Sequence, residues 1–192
     1  MFILYALLLG VVIGVALGGR AMALGTIQVR WWPLIVVGFL SQVALFSDQV
    51  SGVIGDAGPP LYVASTMLVG IAVVRNLRLP GMALIVVGAI SNMAAILANG
   101  GYMPATADAL AAIGKTESAG YTNSALIAQP ALPWLIDRFV LPSWLPLTNV
   151  FSLGDAILGV GVAWLIIVTM VRSRKAQPDL AAPAASAGSP AR

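Results

Sequence analysis

Eight of the ten Lys and Arg residues in this 192-residue chain fall on one side of a membrane if the chain crosses it five times. Five apolar stretches make that crossing physically available: residues 2–18, 32–47, 60–74, 81–98 and 151–171. Each has about the length that a helix rising ~1.5 Å per residue needs to traverse ~30 Å of hydrocarbon. The connections after the first, third and fifth stretches carry Arg20 and Arg30, then Arg75 and Arg78, then Arg172, Arg174, Lys175 and Arg192. Those after the second and fourth hold only Lys115 and Arg138. Basic flanks stay on the cytoplasmic side. The pattern therefore predicts an all-α integral membrane bundle of five transmembrane helices, with the N-terminus outside and the C-terminus cytoplasmic.

Composition narrows the chemistry. With 59% apolar and 9% charged residues, the chain lacks the polar surface of a water-soluble domain, which is about one-quarter charged. One bundle and one sizeable loop fill the length, leaving no room for a separate catalytic domain. The pI near 9.7 follows from the anchoring charges, so no nucleic-acid partner is expected. There is no Cys and no His, which removes thiol nucleophiles, disulfides and thiolate metal sites, together with the commonest general base and metal ligand. No metal or cofactor is expected, and any chemistry must use carboxylates, amides, hydroxyls or Arg.

The first stretch precedes Ala21-Met22-Ala23, a small-x-small sequence of the kind signal peptidases cut, but no Lys or Arg stands before the apolar run. It is expected to be retained as a span. Within it Gly10, Gly14 and Gly18 recur every fourth residue. They define a helix face that another helix can approach closely, within this chain or, alternatively, in a second copy. Arg30-Trp31-Trp32-Pro33 reads as an interfacial anchor with Pro in the first helical turn. Residues 48–59 read as an external turn and residues 75–80 as a tight cytoplasmic one, making the third and fourth spans antiparallel neighbours. Residues 172–192 run into Ala, Pro, Ser and Gly and are expected to form a disordered cytoplasmic tail.

Residues 99–150 make the one long connection, expected outside as a lid over the helix ends. Pro104 to Gly114 predicts a short helix with Thr106 as N-cap and Gly114 as its stop. Further on, Trp134 and Trp144 stand among Leu, Ile, Phe and Pro. That composition suits a segment at headgroup level, packed over the bundle or simply sealing it. Gln42, Ser65, Asn92, Asn99 and Asp155 lie toward the outer half of their spans in the predicted orientation, and Asn92 and Asn99, seven residues apart, share a helix face. Two readings stand. The five are interhelical glue, at ~0.6 to 2 kcal/mol per hydrogen bond, or they line an outward-facing polar binding pocket beneath the lid.

Several segments taken in order carry a resemblance: Gly18-Gly19-Arg20, Leu79-Pro80-Gly81-Met82-Ala83-Leu84, Asn99-Gly100-Gly101-Tyr102-Met103-Pro104, Leu132-Pro133-Trp134-Leu135 and Val150-Phe151-Ser152-Leu153-Gly154-Asp155. Together they resemble an uncharacterised family of bacterial multi-pass membrane proteins, a domain of unknown function. The resemblance implies a bacterial inner-membrane location and no particular activity. Locally, Asn149 to Gly161 is also similar to the last-helix entrance of lipoprotein signal peptidases, where an Asn-x-Ala-Asp motif supplies one member of an aspartic dyad. That similarity implies Asp155 as one carboxylate, and Asp137, eighteen residues earlier, is the candidate second. Against it, Gly154 stands where the motif has Ala, two extra residues separate Asn149 from Asp155, and Asp137 beside Arg138 reads equally as a surface ion pair.

The reading that follows is a non-enzymatic membrane protein. It would be an accessory or assembly subunit of a membrane complex, or a binder of a lipid-like amphiphile, with membrane lipids and other membrane-protein subunits as partners. A membrane-embedded aspartic hydrolase or peptidase using Asp137 and Asp155 is one alternative, and a small-molecule transporter is another.

Overall fold

A computed structural model describes residues 2–114 and 124–175 of the chain. Seven α-helices are present among them: α1 Phe2–Ala16, α2 Trp32–Leu45, α3 Asp48–Ser51, α4 Gly58–Val74, α5 Met82–Ala98, α6 Ala107–Ala112 and α7 Leu153–Lys175. Four short strands, β1 Met103–Ala105, β2 Ser124–Leu126, β3 Phe139–Val140 and β4 Val150–Phe151, all belong to the long connection. Two helical stretches, Gly55–Val74 and Leu153–Ser173, are long and apolar enough to cross a membrane, while α1, α2 and α5 are shorter apolar helices.

The long helices pack as neighbours in the order α1, α7, α5, α4, α2. Glycines set the two contacts of α7. On one side, a Cβ placed on Gly10 would come within 2.9 Å of the Ala163 Cα, and one on Gly14 within 2.6 Å of Met170 Sδ. On the other, a Cβ on Gly88 would lie 2.5 Å from the Gly154 carbonyl oxygen, and one on Gly161 2.8 Å from the Gly81 carbonyl oxygen. Backbones this close gain dispersion along their length. Gly38 allows the same approach of α2 to the Ser65–Val69 turn of α4. At one end Leu45, Tyr62, Ala95, Ile96 and Met103 form a buried cluster that joins α2, α4 and α5 to the start of the long connection.

Element boundaries depart from the sequence expectation in two informative places. Gly18 has φ +74° and lies beyond α1 in the turn that ends it. It therefore does not extend the Gly10 and Gly14 face. Gly19 packs instead, where a Cβ would meet the Met170 backbone at 2.8 Å. At the other end α7 continues through Arg172 to Lys175, so the expected disordered tail does not begin at residue 172. The rest of that expected tail, residues 176–192, lies outside the described residues.

The described parts of the long connection carry structure of their own and form a cap. Thr106 caps α6 by accepting a hydrogen bond from the Ala109 N–H at 3.3 Å, and Gly114 follows the helix at φ +66°. β1 pairs in parallel with β2, and β3 pairs antiparallel with β4. Ala105, Ala109 and Val150 form a small core for the cap, with Leu110, Ile113 and Val140 against it. Phe151 stacks on Phe2 with centroids 4.4 Å apart, and the Tyr5 hydroxyl donates to the Pro146 carbonyl, which ties the cap to α1. Trp134 and Trp144 project outward, 74% and 79% exposed, so they contribute little to sealing the helix ends.

Candidate functional site

The start of α7 reads Ser152-Leu153-Gly154-Asp155, and its geometry is a capping box. The Asp155 N–H donates to Ser152 Oγ, and the Ser152 N–H donates to Asp155 Oδ2, both at 3.0 Å. Two otherwise orphaned helix-terminal donors are thereby satisfied, and the carboxylate sits at the positive end of the helix dipole. Asn92 reaches in from α5. Its Nδ2 donates to Asp155 Oδ1 at 2.7 Å, and its Oδ1 accepts from the Ser152 hydroxyl at 2.8 Å. Such closeness requires Gly154, because a Cβ there would overlap Asn92 Oδ1.

Asp137 is positioned by backbone on both sides. Its N–H donates to the Pro104 carbonyl at 2.9 Å, and its carbonyl accepts from the Thr106 N–H at 3.0 Å. The next residue, Arg138, donates its N–H to the Phe151 carbonyl at 3.3 Å, and Phe139 pairs with Phe151. These bonds bring the Asp137 segment alongside the start of α7. Asp137 is 6% exposed, and its Oδ1 has no hydrogen-bond partner among the described residues. Burial first, and the negative charge of Asp155 second, push its carboxyl from 3.8 up to about 7, against a partly offsetting positive charge at the amino terminus. The surface ion pair with Arg138 does not form: Asp137 is buried, and the Arg138 guanidinium lies 5.5 Å over the Trp134 ring.

Of the five polar residues singled out in the sequence, only Asn92 and Asp155 meet. Gln42 donates to Thr66 Oγ1 at 3.2 Å between α2 and α4, and the Ser65 hydroxyl donates to the Tyr62 carbonyl within α4. Asn99 holds the cap. Its amide donates to the Ala131 carbonyl at 3.0 Å and accepts from the Ala131 N–H at 2.9 Å, as a backbone partner would. Each therefore closes a bond inside the protein, in three separate places. No group of three or more potential metal ligands occurs among the described residues.

Two residues escaped the sequence reading. Ser152 is fully buried at the centre of the Asn92 network, and its signal was present, since Ser-x-x-Asp entering an apolar run is a capping-box pattern. Asn76, 3% exposed, accepts from the Arg30 N–H at 2.7 Å and donates to the Arg30 and Ala72 carbonyls at 2.8 and 2.7 Å. It fastens the connection before α2 to the end of α4. No local pattern marks it apart from any other turn asparagine. Replacing it by Leu leaves buried backbone groups unpaired, so Asn76→Leu is expected to lower stability by ~2 kcal/mol, read as a shift in the thermal melting of the detergent-solubilised protein.

A family model described as a family of unknown function, DUF5317, matches residues 26–167. The chain belongs to that family. No curated protein and no solved structure matches the chain. The stretch matched by DUF5317 contains Asn76, Asn92, Asp137, Ser152 and Asp155, whereas Gly10 and Gly14 precede it. The contact of α7 with α5 thus lies inside the part that defines the family, and α1 lies before it.

Proposed function

We propose that this DUF5317 protein is a bacterial inner-membrane protein crossing the bilayer five times, N-terminus outside, and that it acts without catalysis as an accessory or assembly subunit of a membrane complex. The observation that carries this reading is the closed network at the head of α7. Asp155 and Asn92 satisfy one another and Ser152, which fits a structural acid joining two helices better than a group held open for substrate. The exteriors of α1 and α2 support the membrane setting: Leu4, Leu8, Leu9, Phe39, Leu40 and Val43 are 47–68% exposed, a surface suited to lipid or to another subunit. Purifying the protein in mild detergent and identifying what accompanies it by mass spectrometry tests the role. A stoichiometric protein partner is the expected result. A single lipid class without protein would instead favour an amphiphile binder beneath the cap.

The seat of Asp137 favours a second reading. A buried carboxyl pushed to about 7 faces the charge of Asp155, and aspartic hydrolysis of an amide or ester uses such a pair, one member as acid and the other as base. In that reading Asp155 would take the proton of an attacking water, and Asp137 would protonate the carbonyl oxygen. Asp137→Asn and Asp155→Asn should then each abolish function at unchanged abundance. On the structural reading, Asp155→Asn reduces stability by ~1 kcal/mol through its cap and dipole interactions, and Asp137→Asn stays folded and functional.

A further inference from the structure

The geometry points to Asp137 as a proton-binding site that latches the cap: the neutral acid fits its buried seat, and the carboxylate favours release of the segment that carries it. The inference goes beyond the subunit reading and does not depend on it. The Asp137 backbone is pinned to Pro104 and Thr106 by two hydrogen bonds, so the segment that carries the side chain stays in place while those bonds hold. An anion there keeps a buried oxygen without a donor, a situation proteins avoid by neutralising the group.

Asp155, by contrast, has both carboxylate oxygens engaged: the Asn92 amide donates to Oδ1 and the Ser152 N–H to Oδ2. Among the described residues, the other neighbours offer little compensation. Strands β1 and β4 beside Asp137 carry no titratable side chain. Asp108 of α6 is exposed, and Arg138 turns its guanidinium toward Trp134. The amino terminus supplies a partial positive counterweight.

The direction of the pH effect follows from linkage. With its carboxyl raised from 3.8 to about 7, the closed cap holds more protons than the open one between those values. Closure is fully favoured near and below the lower value, weakens as pH rises through the window, and is level above it. Opening should therefore increase by roughly tenfold or more between pH 5 and 7.

Infrared difference spectra of the full-length protein in nanodiscs test this directly. A protonated-carboxyl band that disappears on titration through neutral pH is expected, and Asp137→Asn should remove it. In parallel, hydrogen exchange at the Thr106, Asp137 and Arg138 amides, corrected for intrinsic pH dependence, should lose protection across the same window in the wild type and not in Asp137→Asn. A carboxyl titration confined to the ordinary range near ~4 would overturn the inference. So would protection that follows pH identically in both proteins. Should Asp137→Asn fail to fold, the wild-type infrared titration decides alone.

Discussion

Gly154→Ala is expected to be among the most damaging single-methyl additions available in this chain, lowering stability by about 3 kcal/mol. The added Cβ would overlap Asn92 Oδ1, come within 2.8 Å of Asn92 Cγ and stand 3.0 Å from the Gly88 carbonyl oxygen. None of these atoms can yield cheaply. The Asn92 side chain is held by Asp155 and Ser152, and the Gly88 carbonyl is part of the α5 backbone. Relief requires α5 and α7 to separate, which forfeits the packing on which their association rests. Gly70→Ala is the matched control. Its Cβ would meet nothing within 4 Å, and the helix-propensity gain of up to ~1 kcal/mol should leave the protein as stable as the wild type or slightly more so. Unfolding curves in mixed micelles would compare the two variants on one scale.

Asn92→Leu carries the second large effect. Leucine is close in size, so packing changes little, but the hydrogen bonds to Asp155 Oδ1 and Ser152 Oγ are lost and a carboxylate oxygen is left without its amide donor. Hydrogen bonds to charged groups contribute about 1.5 to 3 kcal/mol, and the expected loss is ~2 to 3 kcal/mol, above the ~0.6 kcal/mol average for interhelical bonds in bilayers. A double-mutant cycle with Ser152→Ala should show coupling of ~0.5 kcal/mol or more, since the Ser152 hydroxyl donates directly to Asn92 Oδ1. Additive losses would mean that the three side chains do not work as one network.

How much of this could be read in the chain depended on whether the signal was local. Thr106 and Gly114 bracket a helix because an N-cap hydroxyl and a left-handed stop act within one turn of the backbone. They stand where expected. The spacing of Gly10 and Gly14 identified a packing face, but the same spacing continued to Gly18, where the helix has already ended in a left-handed turn. Apolar periodicity carries no record of that turn. Long-range placement was less accessible still. That the first helix packs on the last is written in neither helix alone. Asp137 was the most misleading residue. Beside Arg138 it has the local pattern of a surface pair, and its burial arises from bonds to residues 104 and 106 and from the pairing of β3 with β4. None of these contacts is adjacent in sequence. Gln42, Ser65 and Asn99 were recognised as polar groups in apolar surroundings, yet they are divided among three local bonding arrangements that composition does not distinguish.

The proposed orientation puts the cap on the outer face of the membrane, and the absence of Cys makes that measurable with single introduced thiols. In intact spheroplasts, Ser118→Cys in the long connection is expected to react with a membrane-impermeant maleimide. Ser186→Cys in the C-terminal segment should react only after permeabilisation. Labelling of Ser118→Cys only after permeabilisation, or equal labelling of both positions in intact cells, would contradict the proposed orientation and remove the cap and its Asp137 seat from the outer face.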